Sequence, residues 1–234
     1  MGITAVTPPA GWWVSVSTSL FALLVSVSAL LPRVSWTRRL TFGLNVLSTA
    51  VHEGGHALVS CVTGGGVWLV QVFTPDYGVA YTWRRSRLSS VLSALAGYAM
   101  PPLAGLGAAS PLVRGHAPMV LALTVAAMAL LLVVTRDLIT LVVVVGIGAV
   151  AGGALYWGPV LLQQVVAYAE AWMLLFGEAP GLWAIVANRL RGVAGQDDAE
   201  SLRGETHVPG VVWIVGWAAL IVWCVATAAP MLLA

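Results

Sequence analysis

The clearest chemistry in the chain is carried by His52-Glu53-Gly54-Gly55-His56, set inside TFGLNVLSTAVHEGGHALVSCV. On a helix, residues four apart share a face, so the imidazoles of His52 and His56 can meet one cation, with Glu53 beside them. This is the H-E-x-x-H spacing, in which two histidines hold Zn²⁺ and the glutamate is general base toward its water. The bland alternative is that the three residues hydrogen-bond one another and Ser48, Thr49 and Ser60, and so fix helix packing. The apolar surroundings favour the metal. Each ionisable residue at the centre of a span costs about 2.5 to 3.5 kcal/mol, whereas an interhelical hydrogen bond contributes on average only about 0.6 kcal/mol.

A catalytic zinc takes three protein ligands and keeps a fourth position open, so a third ligand has to come from another element. Asp137 is the leading candidate, because it stands in the apolar context VVTRDLITLVVVV at the expected start of a helix. Its alternative role is to cap free N–H groups there, beside Arg136. Asp76 reads as a turn residue, and His116 and His207 as solvated loop histidines. Glu170 reads as part of a polar-lined packing face. Asn45, seven residues before His52, returns to the same helical face; it can orient a ligand or the substrate, or make an interhelical hydrogen bond. Gly54 and Gly55 allow close approach of a neighbouring helix or of an extended substrate.

The positioning elements belong in a bilayer. Of 234 residues, 59% are hydrophobic and 9% charged, with a mean hydropathy of +0.93, which excludes an ordinary soluble domain. A net charge of +2, scattered along the chain, gives no nucleic-acid footprint. Cys61 and Cys224 each sit in an apolar run and build neither a disulfide framework nor a cysteine zinc cluster. Spans of roughly 20 apolar residues are expected at about 12–31, 41–62, 88–109, 118–135, 138–156, 158–177 and 209–233. The first is read as a retained helix rather than a signal peptide. The fold class is therefore an all-α polytopic membrane protein of about six to seven transmembrane helices, forming one integral membrane domain over 1–234.

Two segments are not spans. Residues 63–87 carry β-branched and aromatic runs on either side of Pro-Asp-Tyr-Gly, the signal of a membrane-associated β-hairpin. Residues 178–208 form the one long polar stretch, expected as a cytoplasmic loop with short helices. If loops alternate sides, Arg33, Arg38, Arg39 and Arg114 face Arg84, Arg85, Arg87, Arg136, Arg189, Arg191 and Arg203. The arginine-rich side is expected to be cytoplasmic, with the N-terminus inside and the C-terminus outside.

The order of these elements resembles the site-2 protease family of intramembrane zinc metallopeptidases, in its compact bacterial form without a PDZ domain. AVHEGGHALVS is similar to the family's zinc helix, here 41–62. The hairpin 63–87 is similar to its membrane-associated β segment, and LAGYAMPPLAGL (95–106) to the small-residue and proline helix that follows. Arg136-Asp137-Leu138 falls where the third ligand is placed, and DDAESLRGETHVPGVVW (197–213) is similar to the tail of compact relatives. The resemblance implies zinc on His52, His56 and Asp137, Glu53 as the catalytic group, and cleavage of transmembrane segments. The family's Asn-Pro and Leu-Asp-Gly signature around the third ligand is absent. The setting it implies is a bacterial plasma membrane, with membrane-protein substrates and the lipid bilayer as partners. Two rival functions are a catalytically silent metal-binding scaffold of the same fold and an ion transporter; no inverted repeats support the latter.

Overall fold

The computed structural model of the protein describes residues 6–8, 10–31, 42–75, 77–193 and 195–234. The expected turn residue Asp76 and Arg33, Arg38 and Arg39 lie outside them. In chain order the elements are α1 (Trp12–Ser28), a 3₁₀ turn (Phe42–Asn45), α2 (Val46–Val62), β1 (Gly66–Thr74), β2 (Tyr77–Trp83), α3 (Arg87–Val113), α4 (Ala117–Val134), α5 (Leu138–Trp157), α6 (Val160–Phe176), α7 (Ala179–Leu190), α8 (Asp198–Thr206) and α9 (Gly210–Leu233).

The class is the expected one: among the described residues, apolar helices with one two-stranded antiparallel hairpin. Among the described residues, five helices are long and apolar enough to cross a membrane: Arg87–Val113, Ala117–Val134, Leu138–Trp157, Val160–Leu190 and Gly210–Leu233. Trp12–Ser28 is a shorter apolar helix. The span expected at 158–177 thus runs on through α7, with only a bend at Gly177 and Glu178. Boundaries follow local chemistry. Ser86 caps α3 by accepting from Ser89 N–H, and Thr135 to Asp137 divide the long apolar run into α4 and α5. Pro101 and Pro102 sit inside α3, a placement that membrane helices tolerate.

Helix directions depart from simple alternation. Gln164 bonds to the Pro8 carbonyl and Trp172 to Ser15, so α1 and α6 ascend together. On α3, Gly105 packs on Ala171 and Leu175 while Tyr98 packs near Gly181, so α3 runs against α6 and α7. His56 meets Ser93, and His52 meets Gly97 and Tyr98, so α2 runs against α3 and therefore parallel to α1. The Thr7 N–H and hydroxyl both bond to the Gly115 carbonyl at 2.9 Å. Seven alternating spans would set these two residues on opposite sides, so the expected topology is corrected. The cause is α2, a 17-residue helix that starts level with the end of α6, where Asn45 meets Gly177.

One core cluster gathers Val14, Leu112, Leu121, Trp172 and Leu232 at the end near Thr7. A second joins Tyr98, Leu182, Leu202 and Trp217 around α7 and α8. The third lies under the hairpin, where Val70 and Val72 pack on Ala50, Ala57, Met128 and Leu131. The strands pair Val70 with Ala80 and Thr74 with Tyr77. The other edge of β1 is taken, since Val70 bridges to Thr135 and the Val72 N–H donates to the Thr140 hydroxyl.

Candidate metal centre

Because α2 is helical through the motif, His52 and His56 point to one side, into the gap between α2 and α3. Each ring is held from behind. Nδ1 of His56 donates to the Ser93 carbonyl at 2.7 Å, and Nδ1 of His52 lies 3.0 Å from Oε2 of Glu178, which receives the Ser48 hydroxyl on Oε1 at 2.7 Å. With the Nδ1 protons so engaged, both Nε2 atoms are free acceptors, as metal ligands require. Tyr98 meets the His52 ring edge to face at a centroid separation of 4.7 Å.

Both Nε2 atoms face one carboxylate, and it is Asp198. Its Oδ2 lies 3.2 Å from His52 Nε2 and 3.3 Å from His56 Nε2. Among the described residues, His52, His56 and Asp198 form the group able to hold a metal ion, their ligand atoms lying within 4.8 Å of one another. The space beside them is kept by Gly97, where a Cβ would stand 2.5 Å from His56 Nε2 and 2.6 Å from His52 Nε2. Two imidazole nitrogens, one carboxylate oxygen and a glycine cradle fit a zinc ion with an open position. Burial would push the Asp198 carboxyl up, but the His56 and His52 rings, when protonated on Nε2, outweigh it and hold the group far below the usual carboxylate range.

Asp198 reaches the histidines because α8 is pinned at its start. Asp197 caps it by accepting from the Glu200 N–H at 3.0 Å, and Arg189 on α7 clamps the Asp197 carboxylate at 2.9 and 3.2 Å. Ala199 and Leu202, both fully buried, seat the helix against the core. Glu53, also buried, packs on β2: its Cγ and Oε1 lie 2.7 Å from where a Gly78 Cβ would be. Among the described residues no hydrogen bond is donated to the Glu53 carboxylate, which leaves its oxygens for water.

Asp137 stands elsewhere. It caps α5, accepting from the Thr140 N–H at 2.9 Å and hydroxyl at 2.8 Å. Slight burial pushes its carboxyl up, but the Thr140 donors outweigh this and hold it below the usual range. Through Thr140 it also anchors the hairpin at Val72. Among the described residues the structure groups Asp198, and not the expected Asp137, with the two histidines: the Asp137 carboxylate is engaged by the Thr140 donors, whereas the cap of α8 is made by Asp197 and leaves Asp198 to turn inward. The polar stretch 178–208, expected as a loop with short helices, carries its short helices α7 and α8 and brings to the site two residues that the sequence reasoning missed, Glu178 and Asp198. The available signal was the pairing of Ala199 and Leu202, an apolar face one turn long immediately after Asp198.

Glu170 accepts from the Thr124 hydroxyl at 2.7 Å and borders an apolar cavity of about 1050 Å³ between α2, α3 and α4; it takes no part in the metal group. His116 precedes α4, and His207 ends α8 in the left-handed conformation at φ 61°. Comparison with known families gives a match of residues 11–228 to a family model described as Peptidase M50B-like. Comparisons with curated proteins and with solved structures give no match.

Proposed function

The chain belongs to the Peptidase M50B-like family, which is the site-2 protease family, and from that premise we propose a zinc metalloprotease that hydrolyses peptide bonds in or near transmembrane segments of membrane proteins. The observation that carries this reading is the convergence of His52 Nε2, His56 Nε2 and Asp198 Oδ2 on the space left by Gly97, with the Glu53 carboxylate on the same helix. Zinc held by these three atoms supplies acidification of water and polarisation of a peptide carbonyl. Glu53 accepts the proton of the attacking water and delivers it to the leaving amine as the C–N bond breaks. Glu178 and the Ser93 carbonyl hold the imidazoles in the tautomer that keeps Nε2 open.

A substrate helix hides its carbonyls in its own hydrogen bonds and must unwind before attack. With the outer edge of β1 occupied by Thr135 and Thr140, β2 is the edge that an extended segment would join by strand addition. Gly78 on that strand touches Glu53, so a segment paired to β2 passes beside the proton acceptor. The setting we propose is a bacterial plasma membrane with the hairpin end in the cytoplasm. Arg84, Arg85, Arg87, Arg136, Arg189, Arg191 and Arg203 cluster at that end, against Arg114 at the other, among the described residues. The test is Glu53→Gln: purified protein should keep its zinc and lose cleavage of a co-expressed membrane substrate. Cleavage that persists in Glu53→Gln overturns the reading.

A further inference from the structure

Asn45 is 3% exposed, and it sits where three elements meet. Its Nδ2 donates to the Gly177 carbonyl at 3.0 Å and reaches the Pro75 carbonyl at the hairpin tip at 3.5 Å. Thr49, one turn further along α2, donates to the same Pro75 carbonyl at 2.6 Å. Gly177 is pressed onto α2 so closely that a Cβ there would lie 2.5 Å from the Ser48 Cβ. The next residue is Glu178, whose carboxylate takes the Ser48 hydroxyl and faces His52 Nδ1. Asn45 Oδ1 is buried and has no partner among the described residues. Leucine would fill the same volume without that unpaired oxygen. What leucine lacks is an amide NH₂ standing between two carbonyls of different elements.

We propose that Asn45 is a positioning residue of the reaction: it ties the Gly177–Glu178 junction to the hairpin tip, so that the strand platform and the His52 ring are set as one unit. The link runs through Gly177 to Glu178 and from Glu178 to His52, and through Pro75 to the strands that flank Glu53. The inference rests on the zinc protease reading, and it adds a route by which the substrate platform and the metal ligands stay in register.

The test measures zinc affinity by competition with a chelating dye, together with cleavage kinetics and apo melting, on the purified full-length chain. Asn45→Leu should lose zinc affinity by on the order of 10-fold or more, the range set by partners of metal ligands, and its kcat should fall with it. Glu178→Gln should show the same loss, and the double variant no more than the larger single, because both act on one link. Thr49→Val, which frees only the tip, should keep its zinc affinity and raise KM. Zinc affinity in Asn45→Leu equal to that of the wild type, with apo melting unchanged, overturns the proposal alone. Should Asn45→Leu fail to fold, Asn45→Ser leaves the junction unbridged with less disturbance, and full zinc affinity in that variant overturns it equally. A wild-type chain that binds no zinc overturns the functional reading and this proposal together.

Discussion

A Cβ on Gly97 would stand 2.5 Å from His56 Nε2, inside the 3.0 Å that real Cβ contacts essentially never breach. The glycine therefore keeps open the space into which both imidazoles aim. Its position on α3, in LAGYAMPP, is a requirement of the metal site as well as of helix packing.

Gly97→Ala should accordingly abolish zinc binding while the protein still inserts and folds. The added methyl group is overpacking of the kind that costs about 1–3 kcal/mol, tolerable for the bundle but placed where the ion must sit. Metal content of the purified variant by atomic spectroscopy, beside its circular dichroism, separates the two effects. A folded Gly97→Ala carrying stoichiometric zinc would sink the site assignment.

The two candidate carboxylates make opposite predictions. Asp198→Asn should lower zinc affinity by more than the roughly 10 to 100-fold that follows loss of an outer partner, with little change in apo stability. Asp137→Asn should leave zinc affinity unchanged, and its cost, about 1 kcal/mol or less, is that of a weakened helix cap. Thermal melts and chelator competition on the two variants check both halves, and zinc loss confined to Asp137→Asn would reverse the assignment.

The histidines and Glu53 were legible because their geometry is local: a helix brings positions four apart together whatever the rest of the chain does. Asp198 was not, because its one local signal, the apolar pair Ala199 and Leu202, seats a short helix without saying which of two adjacent carboxylates turns toward the histidines. One carboxylate of that pair caps α8 and is clamped by Arg189, while the other turns inward to His52 and His56. Asp137 attracted the ligand reading by its apolar context, yet such a context also surrounds an ordinary cap between two membrane helices. The hairpin was readable from its β-branched and aromatic runs on either side of a turn signal. The parallel run of α1 and α2 was not, since hydropathy reports how apolar a segment is and not where along the bundle it begins.

That parallel arrangement makes a topological prediction. Thr7 bonds to Gly115, and Leu232 shares a cluster with Leu112 and Val14, so the segments flanking α1 and α9 at those points lie on one side of the membrane. Cysteines introduced at exposed Val6 and Leu233 should be labelled by the same membrane-impermeant reagent from the same side, and one introduced at Gly204 from the other. Labelling of positions 6 and 233 from opposite sides would restore the alternating scheme.

Zinc loading should also fall on acidification with a steepness that identifies the ligands. Binding requires each donor atom to be unprotonated. Asp198 is held far below the usual carboxylate range by the imidazoles it faces, so it is already charged throughout the working range and contributes no proton to release. The acid limb then belongs to His52 and His56 alone. Where both imidazoles take up protons, the apparent affinity constant should drop toward 100-fold for each unit of pH, two protons being taken up as one ion leaves. Chelator competition between about pH 5 and 8 measures that slope. A limb of one proton would mean that only one imidazole binds the ion, and would leave the convergence of both Nε2 atoms on Asp198 without a metal to explain it.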